Sequence, residues 1–417
     1  MSEPLLSAAP WLREGPAGRV LALLGCDGEE ARVVGGAVRN ALIGCPIGDI
    51  DIATTALPQE VVRRAGAAGF KSVPTGIEHG TVTVIVDGQP FEITTLREDV
   101  ETYGRKAKVV FGRDWARDAE RRDFTINALS ASADGVVHDY VGGLADIPAR
   151  RVRFIGEPDA RIAEDYLRVL RFFRISAAYG PGVLDGDGVA ACTRARGGLA
   201  TLSAERVRME MLKLVVAPHA AQALTTMGDG GLLLALLGGV TYHGAFAAMV
   251  AAEAVLQRAP DPMLRLGALA VAVTEDARRL AQRLRLSNAE AKQLDSMGHR
   301  WWRLKGMDDA LARRRLYRLG VRNYRDRILL AWARAGRDHD DPRWIELATL
   351  PDRWTAPKFP IKAADMIARG IGEGPALGHI LTLAEDAWLA SDFASDPDSL
   401  TRIADQTVAR FRREHRL

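Results

Sequence analysis

The chain has 417 residues, 47% of them apolar and 26% charged, with a formal net charge of +3. That length and balance describe two to four folded units with buried cores, and exclude a fibrous, low-complexity or disordered protein. The opening Met1-Ser2-Glu3-Pro4-Leu5-Leu6 lacks the basic stretch and apolar run of a signal peptide, and no apolar stretch reaches the ~20 residues of a membrane span, so a cytoplasmic protein with no membrane partner is expected. Cys26, Cys45 and Cys192 show neither metal-ligand spacing nor a disulfide framework, which fits a reducing compartment.

In chain order, residues 1–145 mix strand and helix signals. Arg32-Val33-Val34 predicts a short strand, Gly35-Gly36 a turn, and residues 37–43 a helix. Residues 49–53 alternate polar and apolar, and Pro58 suits the first turn of a helix running to about residue 68. Residues 81–86 and 91–96, separated by Asp87-Gly88-Gln89-Pro90, predict a β-hairpin. The segment 98–120, long, Arg/Lys-rich and holding Gly104 and Gly112, is expected as a loop. Beyond Gly142 helical periods take over, with loops at 185–188, 259–262 and 337–342 and a proline-rich linker at 351–360. The fold class expected is an α+β catalytic head with a mixed sheet followed by an all-α remainder.

Asp49 and Asp51 alternate with Ile50 and Ile52, so a strand here places both carboxylates on one face and both isoleucines in the core. Two carboxylates so close repel unless cations lie between them, and oxygen-only ligands suit Mg²⁺ completed by substrate phosphates. Glu92, between Phe91 and Ile93 on a hairpin strand, is a candidate third ligand. A bare D-x-D is also compatible with two exposed surface acids. Thirteen residues upstream, Gly35-Gly36 lets backbone approach a ligand where a strand turns into a helix, and Arg39 supplies a cation. Together the two segments describe a triphosphate-plus-Mg²⁺ site. Residues 300–337 hold twelve basic and three acidic side chains, interleaved with Trp301, Trp302, Tyr317, Tyr324 and Trp332. Basic side chains neutralise phosphates and aromatics stack on bases, although a solvated helical face would read the same way. Arg313, Arg314, Arg315 and Arg318 are the candidate RNA-binding residues.

Val34-Gly35-Gly36-Ala37-Val38-Arg39 followed by Gly48-Asp49-Ile50-Asp51 closely resembles the first motif of the class II nucleotidyltransferases, the tRNA CCA-adding enzymes and the related bacterial poly(A) polymerases. The likeness continues in order. Gly76-Ile77-Glu78-His79-Gly80-Thr81 and Phe91-Glu92-Ile93-Thr94-Thr95-Leu96-Arg97 are similar to the family's hairpin. Arg121-Arg122-Asp123-Phe124-Thr125-Ile126-Asn127-Ala128 is similar to its second motif, and Asp139-Tyr140-Val141-Gly142-Gly143-Leu144-Ala145-Asp146 to the next. Glu164-Asp165-Tyr166-Leu167-Arg168 with Arg171 and Arg174, and then Leu202-Ser203-Ala204-Glu205-Arg206, complete the set. The resemblance implies a nucleotidyltransferase fold like that of DNA polymerase β in a head at 1–145. A helical neck at 146–225 would carry the nucleotide-selecting helix, with an RNA-binding body at 226–350 and tail at 351–417. It implies addition of CMP and AMP from CTP and ATP to the 3′ end of tRNA, with two Mg²⁺ ions. Gly36, Arg39, Arg122, Asp123, Asp165, Arg168, Arg171 and Arg174 would bind the nucleotide, Asp49 and Asp51 the metal, with Glu92 beside them. Positions 164, 168 and 171 would share one helical face, where a carboxylate accepts from the exocyclic amine of cytosine or adenine and a guanidinium serves the ring acceptors.

Asn40 stands where the family usually has Asp, which leaves open how Arg39 is held. The length of segment 98–120 matches the flexible loop of members that add the terminal A. His339-Asp340 lacks the companions of a phosphohydrolase site, so no such domain is expected. The alternatives are a poly(A) polymerase or A-adding enzyme of the same family and, from another class, a non-catalytic RNA-binding protein. Glu78-His79-Gly80-Thr81 has the form of the tRNA enzymes, and the intact carboxylates and arginines argue against a dead fold.

Overall fold

The strand–turn–helix expected around the paired glycines is present: strand Ala31–Val34 runs into helix Gly36–Leu42 through Gly35. The computed structural model describes residues 2–3, 5–76, 78, 80–103, 106–304, 306–336 and 341–415. His79 and His339-Asp340 lie outside the described residues. The strands are β1 (Ser2–Glu3), β2 (Ala31–Val34), β3 (Asp51–Thr54), β4 (Lys71–Gly76), β5 (Thr81–Val86), β6 (Gln89–Thr95), β7 (Arg97–Tyr103), β8 (Lys106–Phe111), β9 (Ser130–Ala131) and β10 (Val137–His138). Eight of them form a mixed sheet in the order β1-β10-β9-β2-β3-β6-β5-β4. In it β2 and β3 are antiparallel while β3 and β6 are parallel. Alternation drives this arrangement. Val82, Val84 and Val86 on β5 and Phe91 and Ile93 on β6 are buried, in one core with Val33, Ile50, Ile52 and the helix residues Ala37 and Val38. The hairpin turn is shorter than expected, only Asp87-Gly88, both at positive φ, because β6 already begins at Gln89. The segment expected as a long loop instead pairs as the antiparallel ribbon β7–β8, followed by helix Trp115–Glu120.

The chain divides into one unit of residues 1–241 with 283–285 and another of 242–282 with 286–417. In the first, the segment 121–128 is fixed against the helices that follow. Phe124 packs on Phe154 at 5.0 Å between ring centroids, and Phe154 stacks on Phe172 at 5.4 Å. Asp139 accepts from the backbone N–H groups of Val141, Gly142, Gly143 and Leu144, tightening a turn in which Gly143 lies against the Thr125 carbonyl. A Cβ on Gly143 would stand 2.3 Å from that oxygen. Asp146 accepts from Thr125 Oγ1 at 2.6 Å and pairs with Arg153. The motif at 139–146 is thus a buttress for the motif at 121–128.

The second unit is helical among its described residues. The helix Asp309–Ala333 breaks at Gly320, whose φ of 72° and ψ of 166° only glycine adopts cheaply. Tyr324 and Trp332 are buried, and Tyr317 donates to Glu385 Oε1 at 2.6 Å, so most aromatics of the basic stretch are packing residues. A separate apolar cluster joins Ile361, Met366, Ile380, Ala404, Val408 and Phe411.

Candidate active site

Three strands bring the carboxylates together. Val34 at the end of β2 is opposite Asp51, and Asp51 is in parallel register with Glu92 on β6. Asp49 precedes the strand, which begins at Asp51; Ile50 and Ile52 face the core and both aspartates are exposed. Although Asp51 is open to solvent, the chain around it partly desolvates its carboxyl; that, then the neighbouring Glu92, and then Asp49 raise it above the usual carboxylate range, with Arg122 opposing them. Such a group favours a cation nearby. Among the described residues no three His, Cys, Asp or Glu side chains stand close enough to hold a metal alone.

Beside this edge opens a cavity of about 610 Å³. Gly36, Arg39, Asp49, Asp51, Arg122, Asp123, Asp165, Arg168, Arg171 and Arg174 all line it, and Glu92 does not. Gly35, at φ 71° and ψ −124°, adopts a backbone that side chains avoid. A Cβ there would stand 3.5 Å from Arg122 Nη1, and one on Gly36 3.5 Å from Arg39 Nη2, both ordinary contacts, so it is the backbone of Gly35 and not crowding that calls for glycine.

Arg39 is buried, and its guanidinium is met by neutral groups. Its Nε and Nη2 donate to Asn40 Oδ1 at 3.1 and 2.8 Å, its Nη1 donates to Asn127 Oδ1, and its Cζ lies 3.7 Å from the centroid of the Tyr179 ring. Asn40 in turn donates to the Pro46 carbonyl at 2.8 Å. That answers how Arg39 is held beside an amide. Burial lowers the arginine's pKa, a cost that an anionic ligand would relieve. Asp123 lies deeper. Its Oδ1 accepts from Phe124 N and Asn127 Nδ2, and its Oδ2 accepts from Arg171 Nε at 2.6 Å. Burial pushes its carboxyl up, yet Arg171 and these donors leave it below the usual range. A continuous path therefore runs Arg171–Asp123–Asn127–Arg39.

The segment carrying Asp165 departs from the expected single helical face. Helix Pro158–Glu164 ends, Asp165 is extended at φ −155°, and a second helix runs Leu167–Tyr179. The Asp165 side chain causes the break by accepting from the Leu167 N–H at 3.1 Å, a local bond that competes with helix continuation. Arg206 grips Asp165 at both oxygens, at 3.2 and 2.6 Å. Arg168 donates to Glu164 Oε2 and to the Arg161 carbonyl, and Arg174 donates to buried Glu210. Arg122 pairs with buried Asp118, whose carboxyl is pushed up by burial but held low overall by Arg122 and Arg121.

Asn127, Tyr179 and Arg206 also line the cavity without having been singled out. Asn127 and Arg206 sit inside recognised motifs, whereas Tyr179 is an aromatic at a helix end with no sequence signal. In the second unit, Arg313 pairs with Asp392 at two points and Arg318 with Glu385 and Asp386, while Arg314 bonds the Ala310 carbonyl. Of the four expected phosphate ligands, Arg313 and Arg318 already hold carboxylates.

Residues 31–153 match the family described as Poly A polymerase head domain, and residues 184–242 the family described as a probable RNA and SrmB-binding site of polymerase A. The mitochondrial CCA tRNA nucleotidyltransferase 1 of Danio rerio is 35% identical over 396 residues, 91% of this chain and 88% of that protein. The CCA-adding enzyme of Limosilactobacillus fermentum is 30% identical, with 94% of this chain and 97% of its own length covered. A crystal structure of the Bacillus stearothermophilus CCA-adding enzyme in complex with CTP superposes with a TM-score of 0.73 at 27% identity, over 96% of this chain and 98% of that one.

Proposed function

Because the chain belongs to the class II nucleotidyltransferase family, among the CCA-adding enzymes, we propose that it extends the 3′ end of tRNA with CMP and AMP taken from CTP and ATP. The observation that carries this reading is the single cavity. It sets a carboxylate pair, the buried Arg39 with several half-buried arginines, and polar groups able to meet a base edge around one space. In the reaction the RNA 3′-hydroxyl attacks the α-phosphate and pyrophosphate leaves, so no side-chain nucleophile is needed. Arg39 and Arg122 neutralise the triphosphate, and the Gly35-Gly36 backbone lets it approach. One oxygen of Asp165 accepts from the exocyclic amine of cytosine or adenine, and Arg168 donates to the ring acceptors. Uracil and guanine present a carbonyl where that amine would be, and would leave the carboxylate facing an acceptor. Asp49 and Asp51 would hold Mg²⁺, with Glu92 behind Asp51 adding negative charge. When bound, the metal supplies charge stabilisation at the attacking and leaving oxygens.

We keep the division into head, neck, body and tail; head and neck lie in the first unit and the tail in the second, while the body at 226–350 is shared, residues 226–241 and 283–285 falling in the first unit. We place the reaction in the cytoplasm on the strength of three cysteines that are all free. Among the described residues no helix is long and apolar enough to cross a membrane.

The test is incubation with tRNA lacking its 3′ end and each labelled nucleotide. CMP and then AMP should enter, and incorporation of AMP alone would favour the poly(A) or A-adding alternative. Asp51→Asn should slow incorporation of both at least a hundredfold, since metal stabilisation of transferring phosphoryl oxygens is worth several kcal/mol and ~1.4 kcal/mol is tenfold. In metal-free buffer the same variant should melt no lower than the wild type, because it removes a repelled carboxylate. Near-normal activity in Asp51→Asn would sink the metal assignment.

A further inference from the structure

The break at Gly320 has a geometric result. Arg315 and Arg327 are twelve residues apart, a separation of about 18 Å along a straight helix at 1.5 Å per residue. Instead the two segments fold so that both arginines line one cavity of about 300 Å³, together with His299, Arg300 and Arg303 and the apolar Leu304. Not one residue of that lining is acidic.

The charges here are poorly compensated. Arg315 Nε is buried with no hydrogen-bond partner among the described residues. Arg327 uses its Nε on Ser296 Oγ at 3.1 Å. Burial, and then the facing Arg315, disfavour its charged form, and Asp295 favours it. That aspartate also reaches Arg278 at 3.7 Å. Among the described residues Arg300, Arg303 and Arg315 meet no carboxylate in an ion pair. The neighbouring Arg313 and Arg318 are different, each already closed by carboxylates. Four guanidinium groups around one small space, with an orphaned buried N–H, form a site that lacks its anion.

We propose that the cavity lined by Arg300, Arg303, Arg315 and Arg327 is a phosphate-binding site, and that its occupant is a backbone phosphate of the RNA substrate. The assignment rests on the reading of the protein as an enzyme acting on tRNA. It keeps Arg315 of the expected basic run and moves the rest of the RNA footprint from Arg313, Arg314 and Arg318 to this pocket. Inorganic phosphate offers the same chemistry, so the test has two arms.

In the first arm, tRNA affinity is measured without nucleotide across a salt series for the wild type, Arg303→Gln with Arg315→Gln, and Arg313→Gln. Each phosphate no longer neutralised should reduce the slope of log affinity against log salt by roughly 0.7 to 0.9. The double variant should therefore lose at least one such increment and bind about tenfold more weakly at moderate salt, while Arg313→Gln keeps the wild-type slope. In the second arm, melting temperatures are compared in phosphate and in chloride at equal ionic strength, which also shows whether the double variant is folded. If it is folded and its tRNA affinity and slope match the wild type, the RNA assignment is overturned. A phosphate-dependent rise in melting temperature, present in the wild type and absent from that variant, would then name free phosphate as the occupant. Without that rise there is no anion site at all. CMP incorporation by the wild type is followed alongside. Its failure would refute the proposed function, whereas the affinity readings would still decide the pocket.

Discussion

Asp326 is 8% exposed, and its Oδ2 accepts from Gln293 Nε2 at 2.9 Å, while Gln293 Oε1 accepts from Arg322 at 2.8 Å. Burial pushes its carboxyl up to about 6, with the Gln293 bond acting in the other direction. A raised carboxyl pKa means the folded state holds the proton more tightly than the unfolded state does. No penalty exists below about pH 4, the unfolded value; stability falls as pH rises from there to about 6 and is then level. Asp326→Asn should flatten that part of the stability–pH curve and raise stability at pH 7 by up to about 3 kcal/mol, because a tenfold change in proton affinity is worth roughly 1.4 kcal/mol. An unaltered pH profile, read from denaturant melts at pH 4, 5, 6 and 7, would contradict it. The outward placing of Asp49 and Asp51 was suggested by their alternation with Ile50 and Ile52, although the strand itself begins only at Asp51. Nothing local marks Asp326 or Tyr179, whose surroundings come from segments distant in sequence.

At the level of elements, the instructive case is the junction at Asp165. The charges of Glu164, Arg168 and Arg171 are spaced as on one helix, and that periodicity hid the capping bond that ends one helix and starts another. Nor does spacing reveal that Arg206, forty-one residues on, holds the carboxylate. Both side chains of this pair are about a third exposed or more, so its stability contribution is at most about 1 kcal/mol. Arg206→Gln should therefore barely change the melting temperature. It should nonetheless reduce the preference for CTP over UTP about tenfold, because an unheld Asp165 no longer presents its acceptor at a fixed place. Single-turnover rates for the four nucleotides measure this, and unchanged ratios would leave Arg206 a surface staple. The strand–turn–helix and the hairpin were readable because each is a local pattern of apolar residues and glycines. The ribbon β7–β8 was not, since its charged composition reads as loop.

Across the whole molecule, the order of motifs conveyed the succession of α+β and helical parts but not the pairing of distant charges. Arg313 looks like an RNA ligand until Asp392, seventy-nine residues on, is seen to hold it. The same limit concealed the path Arg171–Asp123–Asn127–Arg39, which on the proposed reading would join the part of the cavity that meets the base to the part that meets the triphosphate. Asn127→Ala breaks that path without touching Asp165 or the aspartate pair. It should lower the maximal rate with CTP by roughly ten- to a hundredfold, the effect of a misplaced positioning group, and raise the KM less. An equal rise in KM with the maximal rate preserved would show that Arg39 is steadied by Asn40 and Tyr179 alone.

That path also bears on accuracy. If the base edge and the triphosphate were gripped independently, a wrong nucleotide would be rejected only by its shorter stay. On the proposed reading the two grips are linked, since Arg168, which meets the base, shares the helix Leu167–Tyr179 with Arg171. A base that fails to settle there would also leave Arg39 out of place, and the intruder would react slowly for as long as it remains. One act of recognition is then counted twice, and two modest preferences multiply. A protein that copies no template could in this way keep errors rare with a single pocket and no proofreading step.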